Sequence, residues 1–260
     1  MKQKKKSPIK DKPLRYAGQS LDERIDKLIN DDIIPYLICS FFMVFLALYE
    51  WWRYFKKPPP FPKSMTFIAL LFVLFSAYKV ITISKKLKNV KLGRDGERAV
   101  GQFLEFLREK GHRIFHDLQG ENFNIDHVII SRKGIYVIET KTYSKPEKGE
   151  AKIIFDGEKL TIKNTGAQSK PLAQVKAASN WLANILSETT GKKFQIKPVI
   201  LFPGWYISST GQSKKSDIWV LNPKALPSYI ENQPDIISHE DMILVSYHIS
   251  RYIRSKYSAS

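Results

Sequence analysis

Residues 124–141 of this 260-residue chain read NIDHVIISRKGIYVIETK. Two runs rich in β-branched residues flank a short polar turn, which is typical of two antiparallel strands joined by a hairpin. Side chains alternate between the two faces of a strand. Glu139 and Lys141 therefore share one face of their strand, whereas Asp126 and His127 point to opposite faces of theirs. We expect His127 to be a packed or hydrogen-bonded histidine.

The pairing of this hairpin brings two carboxylates together. If the turn is centred between Arg132 and Lys133, Asp126 lies directly opposite Glu139, with Cβ atoms about 4.5–5.5 Å apart. Carboxylates at that separation repel each other unless a proton or a cation lies between them. A divalent metal ion would remove the repulsion. The alternative is that these are ordinary surface residues at the ends of strands.

The expected chemistry follows from the ligand types. The single cysteine, Cys39, excludes an intramolecular disulfide, a multi-thiolate zinc site and an iron–sulfur cluster. Oxygen ligands favour Mg²⁺ or Mn²⁺, which need one or two carboxylates plus water and phosphate oxygens. Lys141 could hold a water or a phosphate oxygen beside that ion. This set of groups indicates metal-assisted phosphodiester hydrolysis.

Glu97 is a third candidate carboxylate. The helix predicted over residues 95–110 places it on the same side as Val100 and Leu104, which is the inward, apolar side. Gly101 would let this helix approach the sheet closely. The alternative is a first-turn carboxylate favoured by the helix dipole.

The remaining pattern from residue 93 onward predicts one α/β domain. Further strands are expected at 112–118, 151–156, 158–162, 197–202 and 218–221, and further helices at 168–189 and 236–254.

Residues 33–83 are expected to form a two-helix transmembrane hairpin. Two apolar runs, Ile33–Tyr49 and Met65–Tyr78, have about the length that spans a bilayer once their apolar flanks are included. The alternatives are two buried core helices or a hairpin that dips into one leaflet. Residues 1–32 form a basic segment and residues 84–92 a basic linker. The lysines and arginines at these positions place both termini and the domain over 93–260 in the cytoplasm.

The overall charge points to an anionic partner. The chain has 42 Lys+Arg against 25 Asp+Glu, a formal net charge of +17. Much of the surplus lies in the part expected to be soluble, which favours binding to nucleic acid. Anionic lipid would be attracted by the same charge, and a basic surface that only confers solubility is the simpler alternative.

Four stretches of the chain resemble a known family, the nuclease-related domain called NERD. They are GRDGE at 93–97, NIDH at 124–127, GIYVIETK at 134–141 and PLAQV at 171–175. The family looks like a divergent branch of the restriction-endonuclease-like PD-(D/E)XK fold, which implies a mixed sheet flanked by helices. The resemblance implies Asp126 and Glu139 as metal ligands, Lys141 as the catalytic lysine, Glu97 as the acid of the first core helix and Gln174 as a helix residue facing the site. The family's usual Asn-Pro before this glutamine is Lys170-Pro171 here, and its usual glycine after the lysine motif occurs only at Gly149.

The sequence thus predicts a membrane-anchored, multi-pass, Mg²⁺-dependent nuclease of the cell membrane that acts on DNA. Its partners are nucleic acid, the lipid bilayer through residues 33–83, and a second copy of the chain in a homo-oligomer. The first alternative is a tethered module of the same fold that binds nucleic acid or recruits a protein without cleavage. The second is a membrane scaffold whose hairpin oligomerises.

Overall fold

The computed structural model describes residues 13–56, 61–146, 149–162 and 166–258. The chain divides into two compact units. The helical unit comprises Ser20–Leu92, and the globular unit comprises Gly93–Ser260 together with the N-terminal residues up to Gln19. Residues 1–12 of the predicted basic segment, and residues 57–60 between the two predicted membrane helices, lie outside the described residues.

The helical unit is an antiparallel hairpin with an additional helix in front of it. Its elements are α1 (Gln19–Lys27), a π-helical stretch (Leu28–Ile33), α2 (Ile34–Lys56) and the first part of α3 (Pro62–Glu109). Trp51 Nε1 donates a hydrogen bond to Thr66 Oγ1 at 2.8 Å. Further along, the rings of Tyr36 and Phe75 meet edge to face, with centroids 6.1 Å apart. These two contacts hold α2 and α3 side by side.

Both helices of the hairpin are long and apolar enough to cross a membrane. The large apolar side chains lie on the outside: Phe41 is 76% exposed and Phe67 is 61% exposed. The buried positions of the hairpin are instead small residues, such as Ala47, Ala69 and Ser76. Small residues let two helices approach closely, and a large apolar exterior suits a lipid environment.

The predicted linker over residues 84–92 is helical, because α3 runs without interruption from Pro62 to Glu109. The residues of the predicted basic linker are thus part of one long helix. The lysine-rich stretch contains no proline, and lysine is a good helix former. Val90 also packs against Ile25 and Leu28 in a small apolar cluster of the helical unit, which stabilises the helix at this point.

The globular unit contains nine strands, three further α-helices and two short 3-10 helices among the described residues. The strands in chain order are β1 (Arg113–Gln119), β2 (Asn124–Ser131), β3 (Gly134–Thr140), β4 (Lys152–Phe155), β5 (Leu160–Ile162), β6 (Gly166–Gln168), β7 (Ile196–Leu201), β8 (Tyr206–Ser209) and β9 (Trp219–Leu221). The helices are α4 (Lys170–Thr190), α5 (Leu226–Glu231) and α6 (His239–Ser258).

The strands form two sheets. The main sheet has the order β1-β2-β3-β7-β9, with antiparallel pairing from β1 to β3 and parallel pairing from β3 to β9. The second sheet has the order β6-β5-β4-β8. The predicted α/β fold with a mixed sheet and flanking helices is confirmed. The second sheet was not predicted, and β6, β8 and α5 were missed.

The main sheet is covered by helices on both faces. On one face, Val128 and Ile130 join an apolar core with residues of α4 and α6, including Leu182 and Val245. On the other face, Ile129 packs in a separate core with residues of α3 and α5. Since Asp126 is an even number of residues from Val128, strand alternation places it toward the α4 face.

Residues 13–19, which we call the docked segment, pack against the globular unit. A Cβ atom added at Gly101 of α3 would lie 2.5 Å from the Cβ of Ala17, closer than it would lie to any other atom around it. Gly101 therefore makes room for the docked segment. The prediction that Gly101 lets the helix approach the sheet was incomplete, because the rings of His116 and His127 are more distant, at 3.6 and 3.7 Å from that position.

The contact of the docked segment can be tested by moving one methyl group. In an open helix interior Gly101→Ala would stabilise the protein by about 1 kcal/mol. With Ala17 in place we expect the opposite sign, a loss of about 1–2 kcal/mol in the free energy of unfolding, because the added methyl group overpacks the contact. Urea unfolding of the full chain in mild detergent measures the change.

The matched control is the double variant Gly101→Ala with Ala17→Gly, which transfers the methyl group from one side of the contact to the other. It should recover most of the lost stability. If Gly101→Ala alone stabilises the protein, residues 13–19 do not pack at this position.

Candidate active site

The register of the central hairpin is the predicted one. Val128 pairs with Val137 and Ser131 with Gly134, and the last pair toward the open end is His127 with Ile138. The next position along this ladder sets Asp126 opposite Glu139. The hairpin therefore brings the two predicted metal ligands to the same end of the main sheet.

Asp126 is buried and held by the backbone of the neighbouring strand. The backbone N–H of Thr140 donates to Asp126 Oδ2 at 2.6 Å. Burial raises the pKa of Asp126 well above its usual range, and the nearby carboxylates of Glu139 and Glu97 raise it further. The hydrogen bond from Thr140 and the charge of Lys141 act in the opposite direction. A carboxylate in this setting gains free energy from any cation placed beside it.

Glu139 and Lys141 form a close ion pair at the end of β3. Lys141 Nζ donates to Glu139 Oε1 at 2.5 Å, and the side chains are 13% and 24% exposed for Glu139 and Lys141, respectively. Burial alone lowers the pKa of Lys141, but the adjacent Glu139 carboxylate, together with Asp126 and Tyr143, outweighs it and the net shift is upward. Lys141 is therefore a positively charged hydrogen-bond donor at neutral pH, fixed in position by Glu139.

Glu97 joins the cluster from α3. The glycine before it permits the approach, because a Cβ atom added at Gly96 would lie only 1.7 Å from Thr142 Oγ1. Burial raises the pKa of Glu97 to about 8, and the charges of Asp117 and Glu139 add to the shift. The structure thus brings together the four predicted residues Glu97, Asp126, Glu139 and Lys141.

Gln174 is not joined to these four residues. It lies on the exposed side of α4 between the buried residues Leu172 and Val175, and no hydrogen bond links it to the others among the described residues. A different glutamine, Gln168, is bonded to a residue near the cluster: its Oε1 accepts from the hydroxyl of Tyr143 at 3.2 Å.

Sequence reasoning missed Tyr143. Burial raises its pKa, and the charges of Lys141 and Glu139 act on it, which places it in the same neighbourhood. The signal was present, since Tyr143 follows Lys141 by two residues and an extended chain would direct both side chains to the same side.

Sequence reasoning also missed Asp117 of β1. Its neighbours pair as His116 with His127 and Leu118 with Ile125, so Asp117 lies opposite Asp126 by count. The backbone of Asp117 departs from strand geometry there, with a φ of +51°. Its side chain is 2% exposed and binds the guanidinium of Arg15 at 2.6 Å. Asp117 therefore belongs to the row of acidic residues that crosses three strands.

His127 lies on the opposite face of β2, as predicted. Its Nδ1 atom is 2.8 Å from Nδ1 of His116, and His116 Nε2 is 2.9 Å from Glu105 Oε1. Burial lowers the pKa of both histidines. They form a neutral, packed pair beneath α3.

The donor set fits a hard divalent cation. Asp126 and Glu139 would hold Mg²⁺ or Mn²⁺, because carboxylate oxygens are the ligands that both ions prefer. Within the described residues, no group of three or more His, Cys, Asp and Glu side chains forms a metal cage. Mg²⁺ does not require one, since it commonly keeps several waters and takes one or two protein carboxylates.

Comparison with known proteins identifies the domain that carries this cluster. Residues 92–203 match the family model of the nuclease-related domain, NERD. The chain contains a nuclease-related domain. This confirms the resemblance inferred from the four sequence stretches, all of which lie within the matched range.

Two individual proteins are also similar to parts of the chain. A stretch of 56 residues is 34% identical to an uncharacterized protein of Bacillus anthracis, and it spans 20% of this chain and 26% of that protein. The chain thus spans about a quarter of the length of this relative. The structure of Pyrococcus furiosus SfsA in complex with Ca²⁺ aligns over 48% of this chain and 52% of that chain, with 15% identity and a TM-score of 0.25.

The raised pKa of Glu97 predicts a pH dependence of stability without metal. The folded state retains the proton on Glu97 up to a pKa of about 8, whereas the ordinary pKa of a glutamate is 4.5. Between these values the folded state binds more protons than the unfolded state, so stability falls as pH rises through this window. In the wild type, we expect the free energy of unfolding to decrease by on the order of a few kcal/mol across this pH range. Glu97→Gln should abolish that decrease.

The measurement is urea unfolding of the full chain in detergent with EDTA, from about pH 5 to about pH 8. Glu150→Gln, at an exposed position, is the control and should leave the slope of the wild type unchanged. The assignment of Glu97 to the buried cluster fails if the wild type and Glu97→Gln show the same pH dependence.

Proposed function

We propose that the nuclease-related domain is a metal-dependent phosphodiester hydrolase that acts on DNA, anchored to the membrane by the hairpin over residues 33–83. The observation that carries this proposal is the clustering of Asp126 and Glu139 with Lys141 at one end of the main sheet. A buried carboxylate pair of this kind is costly for folding alone. A site that binds a cation and a phosphate accounts for that cost.

The residues of the cluster have separable roles in this proposal. Asp126 and Glu139 hold the cation, and the Thr140 N–H fixes the orientation of Asp126. Lys141 donates a hydrogen bond from Nζ to a phosphate oxygen or to the attacking water. The bound ion would lower the pKa of that water and neutralise charge that develops on the phosphate.

The charge of the chain supports a nucleic-acid substrate. The formal net charge is +17, which attracts a polyanion irrespective of its sequence. Binding that depends on phosphate contacts should weaken steeply as the salt concentration rises. DNA is the substrate we favour, and RNA is included in the test.

The path of the chain supports a hairpin that crosses the membrane twice. The docked segment up to Gln19 and the domain from Gly93 belong to the same globular unit. The intervening residues leave that unit and return to it, which supports our proposal that both ends of the hairpin lie on the same side of the membrane. The basic residues at both ends favour the cytoplasmic side.

Cleavage is tested with the full chain in detergent or nanodiscs, incubated with supercoiled plasmid, linear DNA and RNA in Mg²⁺, Mn²⁺ or EDTA. We expect cleavage that requires the metal ion. Asp126→Asn and Glu139→Gln should each lower the rate roughly 100-fold or more, because each removes a ligand charge at the reacting centre.

Glu158→Gln is the matched control, since Glu158 lies exposed in the turn between β4 and β5 and should cleave at the wild-type rate. If the wild type binds DNA in a salt-sensitive manner but does not cleave any substrate, the domain is a binding module. If Asp126→Asn cleaves as well as the wild type, the assigned site is wrong.

Membrane anchoring makes a second prediction. The full chain expressed in bacteria should remain in the membrane pellet after alkaline extraction. Tags at the two termini should be digested together in inside-out vesicles and protected together in right-side-out spheroplasts. Digestion of only one tag in each preparation would exclude the double crossing, and release into the supernatant would exclude anchoring.

A further inference from the structure

The docked segment carries a buried positive charge that reaches the edge of the active-site cluster. Arg15 Nε donates to Asp117 Oδ2 at 2.6 Å, and the two side chains are 4% and 2% exposed. Gln119, two residues further along β1, accepts from both terminal guanidinium nitrogens at 3.2 Å when its amide oxygen faces them. Arg15 therefore binds two side chains of the same strand.

The acidic partner of Arg15 is a distorted position in the sheet. The ladder between β1 and β2 keeps one register on both sides of Asp117, which sets Asp117 opposite Asp126 by count. A third carboxylate facing Asp126 would add to the repulsion already imposed by Glu139. The backbone of Asp117 has a φ of +51°, which interrupts the strand at this residue. Aspartate tolerates this left-handed conformation better than most residues do.

Asp117 also interacts electrostatically with Glu97 of the cluster. Its charge is the largest one that raises the pKa of Glu97, ahead of the charge of Glu139. A change in the position of the Asp117 carboxylate, or in the positive charge beside it, therefore changes the pKa of Glu97.

We propose that Arg15 is a positioning residue of the nuclease site, which holds the Asp117 carboxylate away from Asp126 and thereby maintains the arrangement of Glu97, Asp126 and Glu139. This inference rests on the proposed nuclease function. Arg15 is too deeply buried to contact DNA, so its contribution is made through Asp117. The docked segment is on this view a part of the catalytic domain that lies before the membrane hairpin in the chain.

The proposal predicts opposite effects on metal binding and on turnover. Arg15→Gln removes one positive charge beside an acidic cluster, so a divalent cation should bind several-fold more tightly. Loss of the Arg15 contact changes the position of the Asp117 carboxylate relative to Glu97 and Asp126, so kcat should fall about 10-fold or more while KM for DNA changes little. Loss of folded protein would instead weaken both metal binding and turnover.

The experiment uses the full chain in detergent. Mn²⁺ binding is measured by electron paramagnetic resonance and plasmid cleavage by initial rates, for the wild type, Arg15→Gln and Arg15→Gln combined with Asp117→Asn. The double variant removes both charges, and we expect it to return the Mn²⁺ affinity and kcat toward the wild-type values. Arg15→Lys keeps the charge but not the contacts to Gln119, and it should fall between the wild type and Arg15→Gln.

The outcomes separate this inference from the function on which it rests. A wild type that binds Mn²⁺ and cleaves DNA, together with an Arg15→Gln variant that does both equally well, overturns the inference and leaves the nuclease intact. A double variant no better than Arg15→Gln also overturns it, because Arg15 would then serve only to pack the docked segment. A wild type that neither binds Mn²⁺ nor cleaves overturns both proposals.

Discussion

The repulsion between Asp126 and Glu139 is the constraint around which the domain is arranged. The register of the β2–β3 hairpin sets these carboxylates opposite each other, and a slip by one residue would reverse the faces of every side chain on one strand. The apolar residues on both faces of β2 and β3 pack against helices. Such a slip would therefore disrupt the packing of both hydrophobic cores. Packing on both sides therefore holds the charges together against their repulsion.

Compensating groups surround this pair. The Thr140 N–H binds Asp126, Lys141 binds Glu139, and Arg15 binds Asp117 one strand away. Each of the three bonds is short and at least partly buried. These bonds offset burial and repulsion only in part, because the pKa of Asp126 is still raised well above its usual range and that of Glu97 is raised to about 8. Outer groups that are paired and inner carboxyl groups with strongly raised pKa values are typical of a functional site rather than of a structural one.

The sequence predicted those parts of the fold that depend on local pattern. The strands β2 and β3, their register and the inward face of Glu97 all follow from alternation and helical spacing, and the structure agrees with each. The strand β8 (Tyr206–Ser209) was missed because only pairing with β4, about 50 residues away in the chain, makes it a strand. Asp117 was missed for a similar reason. Its importance depends on Arg15, 102 residues earlier in the chain, and no periodicity connects the two.

The two points at which the chain passes from one unit to the other are close in sequence to Arg15 and to Glu97. Arg15 precedes the first passage at Gln19 by four residues, and Glu97 follows the second passage at Gly93 by four residues. A soluble fragment that begins at residue 84 would therefore retain Glu97 but lose Arg15 and its buried ion pair with Asp117. Removal of one partner of a buried ion pair typically costs about 3–5 kcal/mol. An inactive fragment of that kind would reflect the loss of the docked segment, and a fragment that joins residue 19 to residue 93 by a flexible linker is the better test of the isolated domain.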